Sequence, residues 1–194
     1  NTVSNLYLTN TTFSENYAMR NTKITNTLTD DGNGGALFWN AHGSDFYESI
    51  CYIDGCKFLN NKSDDRGGAI KSQGSLKFVN NKTLLRGNMA PYGGGLYIEG
   101  YHGGANQVEG ASNIQVDLNE FLELQDNISM PASATDIGNG GGIEFYFSNA
   151  MDLNKGSKIT INLDGAIING NVATGNGGGI HIENATDPLM EYEI

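Results

Sequence analysis

Proline is nearly absent from this chain of 194 residues, which has three. That excludes collagen, polyproline and Pro-rich linker architectures. Basic charge is also scarce. Lys and Arg number 11 against 22 Asp and Glu, a net charge of −11. The acidity argues against nucleic acid or an anionic membrane face as partner. No apolar run approaches the about eighteen residues of a membrane helix, so no transmembrane segment is expected. Cysteine occurs twice, with no CxxC and no Cys/His array, so neither a zinc site nor any other cofactor is expected. Charged residues make up 17% and hydrophobic residues 38%. A core is affordable on that composition, and charge-driven disorder is not expected. The chain reads as one domain over residues 1–194, as a segment of a longer chain.

What is abundant is glycine, 27 residues, together with asparagine. Both belong to an internal repeat. The tetrapeptide G-G-[AG]-[IL] occurs five times, beginning Gly34-Gly35, Gly67-Gly68, Gly93-Gly94, Gly140-Gly141 and Gly177-Gly178. A second element, an apolar residue followed three positions later by Asn, lies between these copies. Its asparagines are Asn16, Asn61, Asn81, Asn88, Asn127 and Asn171. Period-two alternation follows the glycines, as in Ile143, Phe145 and Phe147 or Ile180 and Ile182. Alternation of this kind marks half-buried strands. The repeat length varies, which a solenoid of strands with free-length loops tolerates.

The predicted fold is therefore all-β, a right-handed parallel β-helix of about five to seven coils spaced by roughly 4.8 Å. In such a stack, an Asn at a corner can donate and accept at once, bridging its own coil and the next. Glycine serves where a corner needs positive φ or where coils press together.

GGA[ILV] alternating with FxxN resembles the repeat of the polymorphic outer membrane proteins of chlamydiae. Gly34 to Leu37 and Gly67 to Ile70 carry the first motif; Phe13 to Asn16, Phe58 to Asn61 and Phe78 to Asn81 carry the second. The resemblance implies a β-helical autotransporter passenger, located extracellularly or on the cell surface, with an adhesive or structural role and no catalytic site. Self-association, as in an end-to-end filament or coat, or contact with other surface proteins or glycans, is the expected partnership.

A carbohydrate-active or carbohydrate-binding β-helix is the alternative, since paired carboxylates can cut glycosidic bonds. Its candidates are Asp30, Asp31, Asp64 and Asp65 with His42-Gly43 and His102-Gly103. The acids precede glycine motifs, so corner solvation is the simpler account. No calcium ladder is expected, because Asp is missing from the repeat unit. His181 reads as a solvated outward side chain.

Cys51 and Cys56 flank a turn-like Ile53-Asp54-Gly55. They could form a small disulfide or remain two inert buried thiols. Of five N-x-[ST] sequons, Asn61, Asn81 and Asn127 coincide with the repeat Asn, which leaves Asn10 and Asn184 as the better glycan acceptors. Residues 54–86 are basic in excess, and residues 87–154 contain no Lys or Arg. The longer inserts, 41–49, 100–112 and 130–137, are expected to project from the rod, with Tyr92, Tyr101 and His102 nearby.

Overall fold

The structure is a computed structural model that describes residues 4–20, 32–41, 49–100, 113–131, 137–147, 158–184 and 192–193. Every regular element among them is a strand. The first coil comprises β1 (Leu6–Thr9), β2 (Thr12–Ser14), β3 (Tyr17–Ala18) and β4 (Leu37–Trp39). The second comprises β5 (Ile50–Asp54), β6 (Lys57–Leu59), β7 (Lys62–Ser63) and β8 (Ile70–Ser72). The third has β9 (Ser75–Phe78), β10 (Thr83–Arg86), β11 (Met89–Ala90) and β12 (Leu96–Gly100). The fourth has β13 (Asn113–Asn119), β14 (Leu122–Gln125), β15 (Ile128–Ser129) and β16 (Ile143–Phe147). The fifth has β17 (Lys158–Asp164), β18 (Ile167–Asn169), β19 (Val172–Ala173) and β20 (Ile180–Asn184), and β21 (Tyr192–Glu193) opens a sixth.

Each coil adds one strand to each of four parallel sheets, the first six-stranded and the others five-stranded. The fold is a right-handed parallel β-helix. Its core consists of columns of like positions. In the first sheet Leu6, Cys51, Leu76, Val116 and Ile161 stack in register. In the second, the column is Phe13, Phe58, Leu85, Leu124 and Ile168. In the fourth, it is Leu37, Ile70, Leu96, Ile143 and Ile180. Phe13 and Phe58 rings lie 4.8 Å apart and nearly parallel, which is the strand spacing itself.

The corner between the second and third sheets is the most uniform feature. It is always two residues: Glu15-Asn16, Asn60-Asn61, Gly87-Asn88, Asp126-Asn127 and Gly170-Asn171. The first of each pair has positive φ, between 53° and 66°. The second points its side chain along the stack. Asn16 Nδ2 donates to Asn61 Oδ1, Asn61 to Asn88, Asn88 to Asn127, and Asn127 to Asn171, at 2.8–3.0 Å. These links join residues 45, 27, 39 and 44 positions apart. Each Oδ1 also accepts the backbone N–H of the previous coil's Asn. One side chain thus satisfies the turn that the positive-φ residue creates.

Asn81 corrects the sequence reading, because it is not in this ladder. In the third coil the corner between the first and second sheets has four residues, Val79–Lys82, where the other coils have two. Phe78 therefore aligns with Ile53 in the first sheet, and Asn81 sits exposed on that longer corner, donating to Asp54 Oδ1 at 2.8 Å. Leu85 and Asn88 fill the repeat positions. Asn81 is consequently a surface sequon, whereas Asn61 and Asn127 are buried. Asn10 is exposed, and the Asn184 side chain lies outside the described residues.

The glycine motifs form the corner leading into the fourth sheet. Gly34, Gly67, Gly93, Gly140 and Gly177 all have φ of 60–69°. The second glycine of each pair bonds the first glycine of the next coil, as in Gly68 N–H to Gly93 C=O at 3.0 Å. Apart from the four-residue corner Val79–Lys82, length varies in the connections on either side of the fourth sheet. The return from the fourth sheet to the first is Gln73-Gly74 in the second coil, but spans 101–112 in the third.

The disulfide alternative is not realised: Cys51 and Cys56 are free and buried. Cys51 fills one level of an aliphatic column, and Cys56 lies at the following corner, where its Sγ contacts Asp54 C=O. Each acts as a small apolar filler. Burial pushes the Cys51 thiol up to about 12, with Cys56 adding to it. Iodoacetamide at about pH 8 should leave both thiols unmodified in the native protein and alkylate both in urea, read as intact mass. Alkylation of the native protein at either thiol would show that the second coil opens readily.

The basic and acidic stretches face each other across the third and fourth coils. Lys77 pairs with Asp117 at 3.2 Å, and Lys82 pairs with Glu123. The charge asymmetry along the sequence is thus partly neutralised between stacked coils.

Candidate functional site on the outer face of the fourth sheet

Strand alternation sends every second residue of the fourth sheet outward. One outward row, in register, is Phe38, Lys71, Tyr97, Glu144 and His181. The next includes Glu99, Tyr146 and Glu183. Lys and Glu ordinarily face water. Here Lys71 is 0%, Glu144 1% and Tyr97 2% exposed. Such burial of charge requires partners, and the two halves of the face meet that requirement differently.

In the lower half, Lys71 Nζ lies 3.0 Å from Glu99 Oε2 and donates to Asn33 Oδ1 at 3.3 Å. Gln73 Nε2 donates to the same Glu99 oxygen at 2.7 Å. The Phe38 and Tyr97 rings flank the ammonium, with centroids 5.2 and 5.9 Å away. The cation is therefore both ion-paired and set against aromatic faces.

In the upper half, Glu144 Oε1 is 3.4 Å from His181 Nδ1, and Oε2 has no hydrogen-bond partner among the described residues. Burial pushes the Glu144 carboxyl up to about 8; Glu183 adds to this, and Arg66 opposes it. Single ligand atoms of Glu144, His181 and Glu183 lie within 4.8 Å of one another. Two carboxylates and an imidazole form a donor set of the kind divalent transition metals accept. Beside them is a recess of about 200 Å³ lined in part by Arg66, Tyr92, Tyr97, Tyr146 and Glu183. The Arg66 guanidinium stands 5.6 Å over the Tyr97 ring. Aromatic faces, a cation and carboxyl groups in one recess suit a small polar ligand.

Sequence reasoning placed chemistry elsewhere. Asp64 accepts from Tyr17 Oη at 2.6 Å and from the Arg20 N–H at 3.1 Å. Asp65 pairs with Arg20 at 2.9 Å. Both acids thus tie the first coil to the second. Asp30, Asp31, His42, Gly43, Tyr101, His102 and Gly103 lie outside the described residues. His181 is half-buried against Glu144 rather than solvated. Aligning the residue after the Leu or Ile of each glycine motif would have revealed the outward row.

Residues 55–73 match the Chlamydia polymorphic membrane protein repeat. The matched span holds Phe58, Asn61 and the Gly67–Ile70 motif, so the repeat is of the polymorphic membrane protein type. No curated protein and no solved structure matches the chain.

Proposed function

We propose that this chain is a non-enzymatic β-helical rod of the cell surface, acting as an adhesive or structural element. The repeat match carries the reading, since the matching family is one of surface-exposed outer membrane proteins. The bonding of Asp64 and Asp65 supports the non-enzymatic part, because both acids are engaged in holding coils together. Among the described residues no helix is long and apolar enough to cross a membrane.

Antibody raised against the folded rod should label intact cells of the source organism. Labelling only after permeabilisation would refute surface display. A second reading, binding of glycans without cleavage, is favoured by the recess lined by Tyr92, Tyr97 and Tyr146. Retention on a polysaccharide panel, weakened by Tyr146→Ala and unaccompanied by new reducing ends, is its expected result; release of reducing ends would establish an enzyme instead. Self-association by stacking of like coils extends the structural reading. Growth of scattering mass with concentration is expected, and a monodisperse monomer at high concentration would count against it.

A further inference from the structure

Lys71 is fully buried on a face where an apolar residue would cost less, since desolvating an ion pair commonly offsets its Coulombic gain. Its surroundings combine three groups that seldom meet. A primary amine touches the carbonyl oxygen of a carboxamide, Asn33 Oδ1, at 3.3 Å. A carboxylate, Glu99, contacts the same amine at 3.0 Å. Gln73 fixes that carboxylate by its own hydrogen bond, and the Phe38 and Tyr97 rings stand beside the amine. The carbon an amine would attack, Asn33 Cγ, is one bond beyond the oxygen already in contact. Juxtaposition of this kind supplies the proximity that amide exchange otherwise lacks.

We propose that Lys71 and Asn33 form an intramolecular isopeptide bond, with Glu99 transferring the proton. Glu99 takes a proton from the Lys71 ammonium, and the freed Nζ lone pair adds to Asn33 Cγ. Glu99 then returns the proton to Nδ2. The Cγ–Nδ2 bond breaks, ammonia leaves, and the Nζ–Cγ amide remains. The proton left on Nζ goes with the departing ammonia, so the balance is ammonium plus carboxamide giving a secondary amide plus ammonium ion. No oxidant, reductant or co-reactant enters. Asn33 lies just before the first glycine motif, and Lys71 lies in β8, so the bond would join the first coil to the second covalently.

The test is the intact mass of the reduced, denatured wild-type chain, followed by fragmentation of its proteolytic peptides. The expected result is a chain lighter than its sequence by one ammonia, with the Asn33 and Lys71 peptides recovered as one branched species. Lys71→Arg and Glu99→Gln should restore the full mass and lower the melting temperature. Asn33→Ala also abolishes the linkage, and keeps the test available should the Glu99 variant not fold. A wild-type chain at full mass with an ordinary Lys71 peptide overturns the proposal. Loss of ammonia that persists in Lys71→Arg also overturns it, because succinimide formation at Asn33-Gly34 would then be the cause.

Discussion

Asn88→Ala should destabilise the protein by about 3–5 kcal/mol, measured as a lowered urea midpoint with an unchanged slope. Asn88 is fully buried. Its Oδ1 accepts from Asn61 N–H at 2.9 Å and from Asn61 Nδ2 at 3.0 Å. Its Nδ2 donates to Phe58 C=O and to Asn127 Oδ1. Truncation removes the acceptor of one backbone N–H and one amide proton, and takes a donor from a backbone carbonyl, all in a corner that water does not reach. Each orphaned group costs about 1–3 kcal/mol. Because the ladder polarises from coil to coil, the loss should exceed that of a single pair. Asn81→Ala, in the same sequence pattern, should change stability by no more than about 0.5 kcal/mol, since Asn81 is exposed. Equal effects at the two positions would show that the pattern, not the stacked corner, governs stability.

Gly68→Ala should be the more damaging change, costing over about 4 kcal/mol or leaving no folded protein. A Cβ on Gly68 would sit 2.5 Å from Met89 N and 2.7 Å from the Met89 carbonyl carbon, and would also strike the Gly94 carbonyl oxygen. These are backbone atoms of the next coil and cannot rotate aside, so the strands must part. Gly179→Ala is the control within the same motif. There a Cβ would meet only Ile168 Cγ2, at 3.5 Å, an ordinary contact. That variant should lie within about 1 kcal/mol of wild type, on the stabilising side if reduced freedom of the unfolded chain dominates. Thermal melts followed by circular dichroism decide both. A well-folded Gly68→Ala protein with an unchanged melting temperature would mean the coils are not packed as closely as described.

The sequence made the solenoid legible because its constraints are local. The corner between the second and third sheets takes a positive-φ residue followed by Asn in every coil, and the tight approach at Gly35, Gly68 and Gly94 admits no side chain. Both leave motifs that repeat. Asn81 shows where that reading fails: a corner longer by two residues leaves Phe78 in the first sheet and Asn81 on the corner itself, while preserving their spacing. The outward face of the fourth sheet was less legible still. Lys71 and Glu99, or Glu144 and His181, meet only once the coils are stacked, and the register that stacks them is visible only when the glycine motifs are aligned across connections of irregular length. Glu144 alternates with Ile143 and Phe145 as any outward residue would, so nothing in its neighbours announces burial.

The uneven distribution of chain length around the helix has an evolutionary consequence. Corners between the first three sheets hold a nearly constant length, while the connections entering and leaving the fourth sheet do not. Insertions and deletions can accumulate at those two seams without shifting a single column of the stack. Selection can therefore rewrite the border of the face that buries Lys71, Glu99 and Glu144 while the remaining walls stay fixed, so a lineage of such proteins can diversify what it presents to its surroundings at little expense to its stability.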